Sequence, residues 1–156
     1  MNIGYVGLGN MGGALARRMQ LSRPLRVYDL RPESVSALVE KGAIATQDGA
    51  SLARESDVVM TCLPTSQNVR EAIFGAGGLL EGLSPGKIII DQTTGDPNET
   101  RAMAAELREH GVEFVDAPVS GGIRGADAGT IALMVGASDE MFAKIKQTLE
   151  LMQTPQ

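Results

Sequence analysis

A glycine-rich turn between a strand pattern and a helical pattern constrains this chain more than any other feature. Residues 3–6 are a short apolar run that reads as a buried strand. Gly7-Leu8-Gly9-Asn10-Met11-Gly12 follows at once, in the spacing G-x-G-x-x-G. Met11, Leu15 and Met19 then recur every four residues, as one face of a helix would. A glycine motif alone says little in a chain holding 19 glycines among 156 residues. The strand before it and the helix opening inside it give it meaning. Gly7 permits the tight turn, Gly9 lets a pyrophosphate approach the backbone, and Gly12 lets the helix lie close on the sheet. The helix start, at Asn10 and Met11, supplies N–H donors and positive dipole to the phosphates. Asp29, about 20 residues further on, closes the second strand pattern, where an acid accepts from ribose hydroxyls. A carboxylate there repels a 2′-phosphate, so NAD is expected over NADP, although Arg31 softens that repulsion. The alternative is a plain glycine turn with a helix-capping aspartate.

Past this motif, short strand patterns alternate with helical ones. Strands are expected at 25–28, 43–45, 57–63, 87–91, 112–115 and 131–135. Helices are expected at 10–20, from Pro32 to a stop at Gly42, and at 52–55, 68–74, 97–110 and 140–152. Residues 75–86 read as a loop with one helical turn. Alternation of this kind implies a mostly parallel sheet covered on both faces. With right-handed crossovers it becomes a doubly wound, Rossmann-type α/β fold, expected as one dinucleotide-binding domain over residues 1–156.

Composition excludes several other classes. The net charge is −5 and no basic stripe stands out, so a nucleic-acid surface has no support. Two tyrosines, three phenylalanines and no tryptophan are too few for a base-stacking platform. One cysteine and one histidine cannot build a Cys/His metal cluster, and no metal site is expected. Cys62 falls in an apolar run and reads as a buried, inert thiol. His110 precedes Gly111 at a helix end and reads as a dipole partner. No apolar run reaches the ~18 residues that span a bilayer, and no charged region precedes an apolar stretch. A cytoplasmic chain without membrane contact is the expectation.

Three further segments follow expected strands on the carboxyl edge of the sheet, where open α/β sheets bind their ligands. They are Leu63-Pro64-Thr65, Asp91-Gln92-Thr93-Thr94 and Asp116-Ala117-Pro118-Val119-Ser120-Gly121-Gly122. With the fingerprint, the extra Gly13 and the Gly129-Thr130-Ile131 tail, they occur in the order found in one family. The chain resembles the β-hydroxyacid dehydrogenases, the group of 3-hydroxyisobutyrate dehydrogenase and tartronate semialdehyde reductase. The resemblance covers essentially the whole chain, but only the first half of the family pattern. It implies that Ser120, Gly121 and Gly122 hold a small substrate carboxylate. A hydroxyl and glycine N–H groups suit an anion. It implies that Leu63, Pro64 and Thr94 lie near the cofactor, with Asn68 and Val69 along its edge.

The resemblance also implies a catalytic lysine on a long helix beyond Gln156, so no catalytic residue is expected within these 156 residues. Lys41, Lys87, Lys144 and Lys146 do not match its position. The family's all-helical second domain, which closes the cleft and forms the dimer, is expected to be absent too. A truncated chain and a natural short frame both remain open, and the abrupt Pro155-Gln156 end favours the first. The complete enzyme is expected to interconvert a small hydroxy acid and its semialdehyde with NAD, as a homo-oligomer. A related imine or sugar-acid reductase and a non-catalytic NAD-binding module are the alternatives.

Overall fold

The computed structural model describes residues 1–153. The elements run β1 (Ile3–Val6), α1 (Asn10–Gln20), β2 (Arg26–Tyr28), α2 (Pro32–Val39), β3 (Ile44–Ala45), α3 (Gly49–Arg54), β4 (Val58–Thr61), α4 (Ser66–Phe74), a 3₁₀ turn (Leu79–Gly82), β5 (Ile88–Asp91), α5 (Pro97–Arg108), β6 (Glu113–Asp116), β7 (Val119–Ser120), α6 (Gly122–Ala128), β8 (Ala132–Leu133) and α7 (Asp139–Glu150). The first six strands form one sheet in the order β3-β2-β1-β4-β5-β6, and every neighbouring pair is parallel. The chain winds outward from β1 to β3, then crosses back to β4 on the other side. This reversal between β1 and β4 is the topological switch point, where doubly wound sheets open a crevice at their carboxyl edge.

Side chains alternate across the strands, and both faces are covered. Ile3, Tyr5, Val58, Met60 and Ile90 point into one core with Leu15 and Met19 of α1 and Ile145 and Leu149 of α7. Val6, Val59 and Ile89 point into the other with Val69 and Ile73 of α4 and Met103 and Leu107 of α5. Strands buried on both faces read as continuous apolar runs, hence IGYV, VVMT and IIID. Each fully buried Leu, Ile or Met contributes about 1.5–3 kcal/mol relative to exposure.

Side chains cap most helix starts. Asp48 accepts from the Ser51 N–H for α3, Thr65 from the Asn68 N–H for α4, Asp96 from the Asn98 N–H for α5, and Ser138 from the Met141 N–H for α7. Pro32 and Pro97 sit in the first turns of α2 and α5. Helix α1 has neither a side-chain cap nor an acid in its first turn.

The sequence predicts the main sheet and its helices to within a few residues. The two part company after β6. The expected strand at 131–135 is the two-residue β8, and it does not join the parallel sheet. It pairs antiparallel with β7, Val119 opposite Leu133 and Ser120 opposite Ala132. Helix α6, which the sequence pattern does not predict, lies between them. Its sequence, GIRGADA, buries only Gly125 and Ala126, so no large apolar side chain marks its inner face.

One buried polar chain crosses the centre of the domain. The Tyr5 hydroxyl donates to Gln92 Oε1 at 2.6 Å, and Gln92 Nε2 donates to Met152 Sδ at 3.1 Å. All three residues are buried.

Candidate dinucleotide site

The site is built on the turn that leaves β1. Gly7 has φ 96°, a conformation that glycine adopts without strain, and its N–H donates to the Tyr28 carbonyl at 3.2 Å. A Cβ on Gly7 would overlap the Cys62 carbonyl oxygen, and one on Gly12 would overlap the Gly7 carbonyl oxygen. The first and third glycines are thus demanded by the fold itself. Gly9 differs: it caps α1 with ordinary extended backbone, and a Cβ there would meet nothing within 4 Å. The first intrahelical bond runs from the Gly13 N–H to the Gly9 carbonyl at 2.7 Å. The Asn10, Met11 and Gly12 N–H groups before it have no acceptor among the described residues, as expected of an uncapped first turn. They form a donor cluster at the positive end of an eleven-residue helix.

Asp29 follows β2 and ties two loops together. Its Oδ2 accepts from the Leu8 N–H at 2.7 Å and its Oδ1 from the Arg31 N–H at 2.8 Å. Each carboxylate oxygen keeps a further lone pair for another donor. Asp29 lines a cavity of about 370 Å³ with Gly7, Leu63, Pro64, Asn68 and Glu71. A second cavity of about 320 Å³ lies along Leu8, Gly9, Asn10, Arg17 and Ile123. Arg31 lines both.

The structure brings Gly7, Asp29, Leu63, Pro64 and Asn68 into the first cavity, and Leu8, Gly9 and Asn10 into the second. Gly12 is buried beneath the turn, and Met11 and Thr94 line neither cavity. Thr94 is exposed beyond β5; Thr93 before it is buried, and its hydroxyl accepts from the Leu63 N–H at 3.0 Å. Thr93, which the sequence reading does not single out, therefore holds the Leu63-Pro64 corner. A strand-end Thr-Thr pair signals a role for one of them, and the inward position goes to the first. Val69 is buried in the core behind α4 and does not line the cavity edge. Ser120, Gly121 and Gly122 stand exposed at the end of β7 and the start of α6, with φ of 134° at Gly121 and 66° at Gly122. Helix α6 packs on α1, and Arg17 Nη2 pairs with Asp127 Oδ1 at 3.1 Å. This packing puts Ile123 beside Gly9 and Asn10 in the second cavity wall.

Two carboxyls meet at the carboxyl edge, because β5 and β6 pair Asp91 with Asp116. Burial raises the Asp91 carboxyl above the usual range, opposed by hydrogen bonds from Thr93 and Thr61 and reinforced by Asp116. Burial raises Asp116 as well. Cys62 lies one residue beyond β4 and is half-buried rather than inside the strand. Burial, then the Asp91 charge, pushes its thiol up to about 11, so it stays protonated and unreactive at neutral pH.

A raised folded-state carboxyl binds its proton more readily in the folded chain, so Asp91 favours folding below its unfolded value and loses that advantage as pH rises through its folded value. Asp91→Asn keeps an acceptor for Thr61 and Thr93 and removes the charge. The Tm of Asp91→Asn minus that of wild type is therefore expected to grow more positive from about pH 4 to about pH 7. Asp91→Ala strands the buried Thr61 hydroxyl and should cost about 1–3 kcal/mol. Melting curves at stepped pH check both, and a Tm difference that stays flat with pH for Asp91→Asn would contradict the sign.

None of the four lysines reaches this edge. Lys87 precedes β5 at the opposite edge, and its Nζ donates to the carbonyls of Ala53 and Arg54. Lys41 is exposed after α2, and Lys144 and Lys146 are exposed on α7. His110 is exposed in the turn after α5.

A parallel sheet of this order, with a glycine-rich first turn, an uncapped helix start and an acid after the second strand, defines a dinucleotide-binding domain. The chain belongs to the family of the NAD binding domain of 6-phosphogluconate dehydrogenase, whose model matches residues 2–154. It is 40% identical to 2-(hydroxymethyl)glutarate dehydrogenase of Eubacterium barkeri over 97% of this chain and 50% of that protein. Among solved structures, it is similar to Mycobacterium tuberculosis 3-hydroxyisobutyrate dehydrogenase with L-serine (TM-score 0.90, 32% identity, 97% of this chain and 52% of that one). It is likewise similar to Psf3 in complex with NADP+ and 2-OPP (TM-score 0.91, 31% identity, 97% and 54%). The chain spans about half the length of the curated relatives it matches. The resemblance to the N-terminal domain of the β-hydroxyacid dehydrogenases is thereby borne out. None of the described helices is long and apolar enough to cross a membrane.

Proposed function

We propose that this chain binds NAD(H) across the β1–β4 crevice, as the cofactor half of a β-hydroxyacid dehydrogenase acting on a small carboxylate. The observation that carries the reading is Gly9. The fold does not need a glycine there, since a side chain would stand in open space. A ligand approaching the backbone does need one. Asn10, Met11 and Gly12 would hold the pyrophosphate with free N–H groups, Asp29 the adenosine ribose, and Leu63, Pro64 and Asn68 the cavity wall. Thr94 would reach the cofactor only at the exposed rim. When bound, NAD(H) would supply the hydride acceptor or donor for the alcohol carbon of the substrate. Ser120, Gly121 and Gly122 would fix the substrate carboxylate next to α1, with one hydroxyl and two backbone N–H groups. The same reading takes the longer enzyme to be a cytoplasmic homo-oligomer.

Asp29 carries the cofactor preference. Its oxygens are fixed by two backbone N–H groups, so a ribose diol meets an oriented acceptor and a 2′-phosphate meets fixed negative charge. NAD is expected to bind more tightly than NADP by about 1–3 kcal/mol, and Asp29→Ser to shrink the gap. A relative solved with NADP+ gives the second reading its weight, together with Arg31 beside the acid. Calorimetric titration of the purified chain decides; equal or tighter NADP binding would reverse the preference.

A further inference from the structure

We propose that Glu71, backed by Asn68, reads the six-position of the purine and restricts the site to 6-aminopurine dinucleotides. The proposal rests on the dinucleotide reading above and goes beyond it, to a residue whose carboxylate the fold leaves half unused. Asp29 and the first turn of α1 take up the sugar and phosphate side of the groove. Beyond Asp29 and Arg31, the cavity lining includes Leu63, Pro64, Ala72 and Gly77, which are apolar or backbone, and Asn68 and the exposed Glu71 of α4. Asn68 and Glu71 are three residues apart, so they are neighbours on one helix face.

Their hydrogen bonds fix what each offers. The Thr65 hydroxyl donates to Asn68 Oδ1 at 2.8 Å, which leaves the Asn68 amide N–H groups free. Gln67 Nε2 donates to Glu71 Oε1 at 3.3 Å, and Glu71 Oε2 has no hydrogen bond among the described residues. The cavity wall therefore presents an acceptor beside a donor. Adenine offers the matching pair, an exocyclic amino donor next to the N1 acceptor. A 6-oxopurine offers the reverse, an oxygen acceptor next to an N1–H donor. Its oxygen would face the Glu71 carboxylate, acceptor against acceptor, and discrimination comes from that mismatch.

The test needs no catalytic partner. The 156-residue chain is titrated by fluorescence with NADH and with reduced nicotinamide hypoxanthine dinucleotide, which differ only at the purine six-position. Wild type should bind the adenine form about tenfold more tightly, the worth of one charge-assisted hydrogen bond at a solvent-open wall. Glu71→Gln, whose amide can turn either end to the base, should bring the two affinities within about threefold while leaving the melting temperature unchanged. Equal affinities in wild type, or an undiminished ratio in Glu71→Gln, would overturn the role of Glu71. If neither dinucleotide binds, the cofactor reading itself fails, and this proposal with it.

Discussion

Assayed alone for NADH formation over a panel of small β-hydroxy acids, the 156-residue chain should give no detectable turnover. Oxidation of an alcohol by hydride transfer needs a base within hydrogen-bond reach of the hydroxyl. Lys87 is spent on the end of α3 at the opposite edge of the sheet, and Lys41, Lys144 and Lys146 face solvent elsewhere. Loss of a general base costs about 10²–10⁴ in rate. Ser120, Gly121 and Gly122 stand exposed, with no wall among the described residues to hold a substrate in reacting geometry. That geometry is worth several further kcal/mol, up to about 7–11 in favourable cases. Dinucleotide binding should survive, since the first turn of α1 and Asp29, the groups proposed to hold it, lie within the described residues. Sustained NADH production by the pure chain, free of host dehydrogenase, would mean that a group here does the work of the lysine. Asp116, half-buried and with a raised carboxyl, would be the first to mutate.

Replacing Gly9 and Gly12 by alanine should separate binding from folding. At Gly12 the new methyl would overlap the Gly7 carbonyl and stand 3.3 Å from Cys62 Cβ. Neither neighbour is a flexible side-chain end, so α1 would have to lift from the sheet and drag Leu15 and Met19 with it. A cost of about 3 kcal/mol is expected, a fall of roughly 6–12 °C in Tm. At Gly9 the methyl enters open space and φ is an ordinary −68°, so stability should change by less than about 1 kcal/mol. Yet NAD affinity should fall about 10- to 100-fold, because the methyl occupies the approach of the pyrophosphate. Thermal melts and NAD titration of both variants check this. Undiminished NAD binding by the Gly9→Ala variant would remove the main support for the site.

What the sequence discloses follows from where side chains carry the information. Strands β1, β4 and β5 are largely buried on both faces, so each is an apolar run, broken only at the last residue in β4 (Thr61) and β5 (Asp91), and the glycines at 7 and 12 mark backbone that admits no side chain. The proposed site residues in the first turn and at Asp29 are legible because a short glycine motif and an acid at a fixed spacing after it carry them. The antiparallel pairing of β7 with β8 is not legible, because two-residue strands have no periodicity to read. Helix α6 hides because glycine and alanine make its contacts. The bond from the Leu63 N–H to Thr93 is not legible, because it requires knowing which way the strand end faces. Glu71 goes unseen because a charged residue on a helix resembles any solvated position until the opposing loop is in place.

The buried chain from Tyr5 through Gln92 to Met152 also sets an order of events during synthesis. A ribosome delivers Tyr5 first, yet its hydroxyl finds its acceptor 87 residues later, and that acceptor's amide waits another 60 for the sulfur. Until then, β1 must lie in a collapsed chain that still hydrates a phenol at its centre. The polar chain is complete only when α7 and the turn at Met152 have docked. Nascent molecules stalled short of it would keep a wet seam through the middle of the sheet, the state that chaperones and proteases recognise.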